Sequence, residues 1–263
     1  MKRLGKGFFV GALYDKVRPG YTNKIIPEIN KILPDRHPLV LAEFGAGSGI
    51  FTKNILETEL VIEKLYIVDP DKEALNLHKE KFKSHPVYDR IDYIYGDAEK
   101  SSLKKQSIDI IMTAQAFHWF DMEKTRIEWL RIMKPDSKVL ILGRFHIPLN
   151  AATEEYIALT RFGKRQRGYK ENIEAYSPEN MELFFGHPVK RIVIHQEKES
   201  KNYDEFMGEM TIRINTSCSE EVIRQSKEIT EKASIYFEKH KIKNHVELIS
   251  ETFYICDTIK TPD

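Results

Sequence analysis

Short apolar runs alternate with amphipathic stretches through the first half of the chain. The runs have the length and the β-branched residues of buried strands, and the stretches between them have helical spacing. The predicted strands are 39–44, 65–69, 91–95, 108–112 and 138–142, and the predicted helices are 22–33, 50–57, 70–83 and 121–133. On helix 70–83 the expected apolar stripe is Ala74, Leu75, Leu77, Lys81 and Phe82. Alternating strands and helices indicate an α/β fold with a largely parallel sheet.

The second half of the chain has a less regular pattern. Helical spacing recurs at 153–160, 203–214 and 217–237, and strands are predicted at 189–195 and 247–256. No internal repeat or low-complexity tract interrupts the chain, so the pattern favours one continuous fold.

The turn after the first predicted strand contains three glycines at alternate positions, in the sequence E-F-G-A-G-S-G-I from Glu43 to Ile50. Glycine tolerates positive φ and has no Cβ, so such a turn can bend sharply and let a ligand approach the backbone. A dinucleotide fingerprint needs G-x-G-x-x-G, and here the third glycine comes one residue early. A phosphate-binding loop would need Gly-Lys-Ser/Thr, which is absent. The turn therefore favours a ligand that does not bind through a phosphate group.

An acidic residue, Asp69, closes the second predicted strand about 20 residues after the glycines. In α/β sheets an acid at this place binds the hydroxyls of a ribose. The turn and Asp69 together indicate a nucleoside-containing ligand.

These features resemble the class I S-adenosylmethionine (SAM)-dependent methyltransferases. The resemblance is carried by E-x-G-x-G-x-G from Glu43, by Asp69, by Gly96-Asp97-Ala98 after the third strand, and by A-F-H-W-F-D at 116–121. The last motif is similar to the small-molecule branch that includes trans-aconitate-type enzymes and methyltransferase type 11 proteins. The resemblance implies a doubly wound, seven-stranded, mostly parallel sheet whose antiparallel last strand lies between the fifth and the sixth.

The resemblance also implies a domain organisation. A single methyltransferase domain would cover 1–263, with N-terminal lid helices at 1–38 and the SAM-binding half at 39–142. A helical cap insertion would occupy 143–188, and 189–263 would complete the sheet.

SAM is the cofactor that the resemblance implies, and S-adenosylhomocysteine is the product. Glu43 would orient the turn and the methionine amine, and Asp69 would bind the ribose hydroxyls. Asp97 would accept from the adenine amine, while Ala98 would offer its N–H to the ring. The implied cofactor-binding residues are Tyr14, Glu43, Gly45, Ala46, Gly47, Gly49, Asp69, Asp97, Ala98 and Gln115.

The acceptor side of the expected site is formed by aromatic and basic residues. The implied substrate-binding residues are Arg18, Tyr21, Trp119 and Arg144. His118 is the candidate catalytic residue, as a base or as a group that orients the substrate, because histidine titrates near neutrality. Residues 114–117 lack the Asn/Asp-Pro-Pro-Tyr/Phe turn that is typical of methylation at exocyclic base amines or glutamine amides, so that chemistry is disfavoured.

Charge and composition narrow the possible partners. The 263 residues carry 41 basic and 40 acidic side chains, whereas a general nucleic-acid binder is usually more basic. A basic cluster at 161–170 is balanced by neighbouring glutamates, which favours a solvated surface. Cys218 and Cys256 have no metal-ligand spacing, so no metal is expected. No apolar run approaches the ~18 residues of a membrane span, and the start lacks a cleavage site, which predicts a cytoplasmic protein.

The sequence as a whole predicts methyl transfer from SAM to a small-molecule acceptor, with O-methylation of a carboxylate or hydroxyl slightly favoured. The protein would be a monomer or homodimer. An RNA- or protein-directed methyltransferase and a SAM-binding protein without catalysis remain alternatives, and a nicotinamide oxidoreductase is a distant fourth.

Overall fold

The computed structural model describes residues 20–31, 38–149, 151, 153, 174–202, 204–205, 228, 231–232, 234–239, 244–256 and 259, with the backbone alone at 244–247. These residues divide into two compact units. The larger contains the described residues of 20–143, 174–194 and 251–259, and the smaller contains those of 144–153 and 195–250. The glycine turn, Asp69 and His118 all belong to the larger unit.

The described strands form one sheet of seven. They are β1 Leu39–Phe44, β2 Ile62–Asp69, β3 Ile91–Tyr95, β4 Ile108–Ala114, β5 Met133–Pro148, β6 Lys190–Asn202 and β7 Asn244–Cys256. Their order is β3-β2-β1-β4-β5-β7-β6, with β1 to β5 parallel and the last strands antiparallel. The sequence expectation of a seven-stranded, mostly parallel sheet, with the last strand between the fifth and sixth, is confirmed.

Five helices with both ends described accompany the sheet, and further helical residues lie at 234–239. The five helices are α1 Ile25–Lys31, α2 Ile50–Leu56, α3 Lys72–Phe82, α4 Met122–Ile132 and α5 Pro178–Phe185. Three of them begin at a polar side chain that accepts backbone N–H groups: Asp71 before α3, Asp121 before α4 and Ser177 before α5. None of the helices in the described ranges has both the length and the apolar character that a membrane span requires.

β5 begins earlier than the sequence pattern predicts. Helix α4 ends at Ile132, and Met133 is already extended and pairs with Ile108. The pairing then shifts, so that Ile110 faces Lys138. The residues between include Asp136 in a left-handed conformation, with φ of 64°. The start of β5 could not be predicted from the hydrophobic pattern, because a polar insertion with positive φ precedes the run of apolar residues.

Three stretches with predicted features lie outside the described residues: 1–19 of the lid predicted at 1–38, 154–173 of the cap predicted at 143–188, and 206–227, which holds most of predicted helix 203–214 and the start of predicted helix 217–237.

The core of the larger unit lies on both faces of the central strands. β1 and β4 are buried along nearly their whole length, as expected for parallel strands that helices cover on both sides. Trp129 of α4 is fully buried and packs against Phe44 and Phe117. This packing fixes the segment after β4 against the sheet, and that segment carries His118.

Candidate active site

The carboxyl ends of β1, β2 and β4 meet at one edge of the sheet, where open α/β sheets bind ligands. Glu43 pairs in register with Ile67 on one side and Met112 on the other. Beyond the end of β1, the Gly45 N–H donates to the Val68 carbonyl at 2.8 Å. The glycine turn, Asp69 and the segment after β4 therefore lie side by side, as the sequence predicts.

The three glycines of the turn have different roles, although all have positive φ. A Cβ on Gly45 would overlap the Cβ of Ala116, and a Cβ on Gly49 would lie 2.8 Å from the ring of His78. Among the described residues, no atom lies within 4 Å of a Cβ placed on Gly47. Gly45 and Gly49 thus make room for the protein itself, and Gly47 is the glycine that leaves backbone open to a ligand.

Asp69 accepts hydrogen bonds from two backbone N–H groups, one of which belongs to the glycine turn. Its Oδ2 accepts the Gly47 N–H at 2.8 Å, and its Oδ1 accepts the Asp71 N–H at 2.8 Å. Burial raises the pKa of Asp69, and the two backbone hydrogen bonds oppose that rise. Each carboxylate oxygen has a second lone pair, so Asp69 can still accept hydrogen bonds from the hydroxyls of a ribose.

Glu43 is almost completely buried beneath the turn. Its Oε2 accepts the hydroxyl of Thr52 at 2.6 Å. Burial raises the pKa of Glu43 to about 8, Thr52 opposes the rise, and the charge of Asp69 adds to it. A cationic group near this carboxyl would favour its ionised form.

The turn after β3 carries the two residues that the resemblance assigns to the adenine. Asp97 accepts the Lys100 N–H at 2.9 Å, which closes the turn, and Ala98 is buried. The next residues are anchored to α4, because Glu128 accepts the backbone N–H of Ser101 at 2.8 Å. This anchor fixes the position at which Asp97 is presented.

Beyond β4, His118 lies in a short 3₁₀ turn, Phe117–Trp119, and is buried. Its Nδ1 is 3.2 Å from the Tyr176 hydroxyl. The Tyr176 carbonyl in turn accepts the hydroxyl of Tyr254, a residue of β7. Tyr176 thus contacts the imidazole and is itself held by Tyr254. Trp119 stands beside the imidazole, with its ring 4.9 Å away and 37% exposed.

The remaining predicted residues are placed as follows. Gln115 has a φ of 53° and donates its N–H to the Leu142 carbonyl at 3.0 Å, directly after β4. Tyr21 packs edge to face on Phe51 of α2, with ring centroids 5.8 Å apart. Ala46 is buried within the turn.

Arg144 lies in β5 and belongs to the smaller unit. Tyr14 and Arg18 lie outside the described residues.

Sequence reasoning missed four residues of this region: Thr52, His78, Tyr93 and Tyr176. On α3 the buried residues are Ala74, Leu75, His78 and Phe82, so the expected stripe is wrong at Lys81, which is exposed, while Leu77 is half-buried. His78 stands four residues from both Ala74 and Phe82, and this spacing was the available signal. No local sequence pattern pointed to Tyr176, because its contact with His118 joins residues 58 positions apart.

The charges around the open turn match one kind of ligand. Glu43, Asp69 and Asp97 each stand at or beside the end of a strand on this edge, and segment 43–50 contains no lysine or arginine. Carboxylates would repel a pyrophosphate, whereas they suit hydroxyls, an exocyclic amine and an ammonium group. The residues present therefore fit a phosphate-free, cationic nucleoside such as SAM.

Comparisons with known proteins agree with this reading. Residues 42–141 match the family model described as a methyltransferase domain. An uncharacterised methyltransferase of Schizosaccharomyces pombe is 30% identical over 129 residues, which cover 49% of this chain and 48% of that protein. A Saccharomyces cerevisiae protein named for SAM-dependent methyltransferase activity is 26% identical over 49% of this chain and 43% of its own length. The chain thus spans about half the length of the curated relatives that it matches.

The fold is also similar to a solved structure. The YcgJ protein of Bacillus subtilis superposes with a TM-score of 0.57 at 14% identity, covering 90% of this chain and 98% of its own. At this identity the similarity shows the fold alone.

Proposed function

We propose, from the premise that the chain belongs to the class I SAM-dependent methyltransferases with SAM as cofactor, that it transfers a methyl group to a small-molecule acceptor. O-methylation of a carboxylate or a hydroxyl is the favoured reaction. The observation that carries the proposal is the open backbone face at Gly47, with Asp69 bonded beneath it and the His118 segment packed against Gly45 through Ala116.

The residues of the larger unit would bind SAM and orient it for methyl transfer. When bound, SAM supplies a methyl group already activated by its sulfonium, so the protein needs to supply little covalent help. Asp69 would hold the ribose, Glu43 the ammonium and Asp97 the adenine amine. Fixed orientation of two reactants can be worth the equivalent of ~10⁵ to 10⁸ M in effective concentration, so positioning accounts for most of the rate.

The acceptor decides what His118 must do. A hydroxyl has to lose its proton as the new bond forms, and His118 would take that proton at Nε2, because its Nδ1 faces Tyr176. In this role Nδ1 carries a proton and donates it to the Tyr176 oxygen, which also stabilises the imidazolium. A carboxylate is already ionised and needs no base, only a cation to hold it, for which the sequence offers Arg18 or Arg144.

Three parts of the proposal rest on the sequence. The cytosol is the proposed compartment, the monomer or homodimer is the proposed state, and nucleic acid is not a proposed partner. The basic cluster at 161–170, which an RNA- or protein-directed enzyme would use, lies outside the described residues.

The first test is calorimetric titration of the full chain with SAM, S-adenosylhomocysteine and NAD. We expect micromolar binding of the two sulfur nucleosides and none of NAD. A panel of small acids and alcohols is then incubated with SAM, and S-adenosylhomocysteine is measured as product. Absence of SAM binding would refute the proposal, and binding without turnover of any acceptor would favour the SAM-binding protein without catalysis. Turnover of RNA or protein in place of the panel would favour the polymer-directed enzyme.

Replacing Asp69 by alanine is expected to weaken SAM binding by ~1.5 to 3 kcal/mol, the usual value of a hydrogen bond to a charged group. The same titration measures this loss. Unchanged affinity would remove Asp69 from the site.

Asp109 offers a matched control for Asp69. It also accepts a backbone N–H, that of Val40 at 2.8 Å, and pairs with Lys134, but it lies near the start of β4, away from the carboxyl ends of the strands. Replacing Asp109 by alanine should lower stability and leave SAM affinity unchanged. An equal loss of affinity in both variants would show that the effect of Asp69 is a general loss of structure.

A further inference from the structure

Four polar side chains form a continuous hydrogen-bonded row beneath the glycine turn. From the Glu43 carboxyl the row passes to the Thr52 hydroxyl at 2.6 Å, to His78 Nε2 at 2.8 Å, and from His78 Nδ1 to the Tyr93 hydroxyl at 3.1 Å. The four residues come from β1, α2, α3 and β3. Glu43, Thr52 and His78 are buried, and Tyr93 is half-buried. The row connects the cofactor side of the sheet edge to the third strand.

The direction of each hydrogen bond follows from the proton inventory of the row. When the Glu43 carboxyl is ionised, Thr52 donates its one proton to it, so the Thr52 oxygen accepts from His78 Nε2–H. Burial lowers the pKa of His78 to about 3, so the ring is neutral and its Nδ1 is an acceptor. Burial raises the pKa of Tyr93, so its hydroxyl keeps its proton and donates to Nδ1. The row thus has one consistent direction, from Tyr93 to Glu43.

The imidazole of His78 is also wedged against the turn itself. A Cβ on Gly49 would lie 2.8 and 2.9 Å from its ring atoms, and the ring packs at a tilt against Phe82, with ring centroids 4.7 Å apart. Packing and the two hydrogen bonds fix the orientation of the ring, so Nε2 faces Thr52. Polar networks in which every member is satisfied make side chains rigid.

We propose that His78 and Tyr93 are positioning residues for SAM, which act through Thr52 to hold the Glu43 carboxyl in one orientation and thereby set the affinity for the ammonium group of the cofactor. This inference rests on the proposed function, since it requires that the chain bind SAM. A buried carboxyl with a single fixed donor presents its remaining acceptor capacity in one direction, which favours a cationic partner at a defined place.

The pH dependence of SAM binding separates this role from a purely structural one. SAM favours ionised Glu43, so its affinity should rise with pH through the titration of Glu43. The Thr52 hydrogen bond lowers the pKa of Glu43, so breaking the row should move this rise to higher pH. Three other titratable groups act on the row: Asp69 on Glu43, Lys81 on His78, and Tyr88 on Tyr93. All three are retained in the variants.

The experiment measures SAM affinity by calorimetry from pH 6 to 9 for Thr52→Val, His78→Leu, His78→Gln and Tyr93→Phe. We expect Thr52→Val and His78→Leu to weaken binding by ~3- to 10-fold, in line with the loss of one buried hydrogen bond, and to shift the pH midpoint upward. Tyr93→Phe should act in the same direction but less. His78→Gln retains an N–H donor toward Thr52 and should restore most of the affinity and the original midpoint.

Phe82→Leu is the matched packing control, because Phe82 lies under Gly49 beside His78 but has no polar group. It should leave the pH midpoint unchanged. Equal effects of Phe82→Leu and His78→Leu, or an unshifted midpoint in Thr52→Val, would overturn the inference. If the wild-type protein itself fails to bind SAM, the proposed function fails instead.

A second measurement needs no cofactor. Long-range ¹H–¹⁵N spectra of the free protein should show His78 as the neutral Nε2–H tautomer at pH 9, where Glu43 is ionised, with the signal assigned by its loss in His78→Gln. An Nδ1–H tautomer or a protonated ring would contradict the direction of the row, even if a variant fails to fold.

Discussion

Replacing His118 by alanine is expected to lower kcat for a hydroxyl acceptor by ~10²- to 10⁴-fold, the usual contribution of a positioned general base. SAM affinity should be nearly unchanged, because Glu43, Asp69 and Asp97 do not depend on the His118 side chain. The measurement is steady-state kinetics at saturating SAM with an acceptor from the panel, together with SAM titration of the variant.

The pH profile of the same variant tests the role of the imidazole directly. A base must be unprotonated to act, so the wild-type kcat should fall on the acidic side, and that fall should be absent in His118→Ala. Tyr176→Phe removes the oxygen that faces Nδ1 and should reduce kcat by less than the loss of His118 itself. This intermediate effect would identify Tyr176 as the group that orients the ring.

His187 provides the control histidine. It lies in the same unit, its Nε2 is 3.3 Å from the sulfur of Cys256, and no part of the proposed reaction uses it. Replacing His187 by alanine should leave kcat unchanged. Full turnover of a hydroxyl acceptor by His118→Ala would show that His118 is not the base, whereas a small loss on a carboxylate acceptor is the expected result for an ionised substrate.

Lowering the pH from 8 to 6.5 is expected to stabilise the free protein by ~1.5 kcal/mol through Glu43, because each pH unit is worth about 1.4 kcal/mol well below the pKa and about half of that at the pKa itself. Burial raises the pKa of Glu43 from 4.5 to about 8. Between these values the folded state holds a proton that the unfolded state has lost. The free energy of unfolding therefore falls as the pH rises through this range.

His78 gives the opposite slope in a lower range. Burial lowers its pKa from 6.5 to about 3, so between these values the unfolded state binds a proton that the folded state excludes. The free energy of unfolding falls there as the pH drops. The two slopes cancel between pH 4.5 and 6.5, and above pH 6.5 Glu43 acts without this opposition. The raised pKa of Asp69 acts in the same sense as that of Glu43.

The test is urea unfolding of wild type and Glu43→Gln without SAM, at pH 5, 6.5 and 8, followed by tryptophan fluorescence. The neutral amide should remove the part of the pH dependence of the free energy of unfolding that comes from Glu43 above pH 6.5. Below pH 6.5 the dependence that comes from His78 should then be visible. Glu57→Gln, at an exposed position after α2, should behave like the wild type. If Glu43→Gln keeps the wild-type slope between pH 6.5 and 8, Glu43 is ionised in the folded protein and the expected linkage is wrong.

Several parts of the site were predictable because they depend on local sequence. The strand before the glycine turn, the acid Asp69 at the end of β2, and the caps Asp71 and Asp121 follow from residue type and spacing over a few positions. The resemblance then supplied the order of the sheet, including the insertion of β7, which spacing alone does not give.

Other parts depended on contacts between distant residues. Lys81 was expected on the buried side of α3 but is exposed. His78 takes an inward position there because Thr52 and Tyr93 satisfy both of its nitrogens. The early start of β5 depended on its pairing with Ile108, which overrides the helical pattern through Met133.

The sequence by itself determined the α/β fold, the turn with its three glycines, and the acidic residues that suit a cationic nucleoside. Short-range sequence patterns specify these features, because strand periodicity, glycines at positive φ and carboxylates at strand ends do not depend on contacts with distant residues. Tertiary structure alone decided that Gly47 is the open glycine, that His118 is fixed by Tyr176, and that Glu43 is tied through Thr52 to His78. Burial and hydrogen-bond partners arise only when separate elements pack together, and they set which polar groups are charged and where they point.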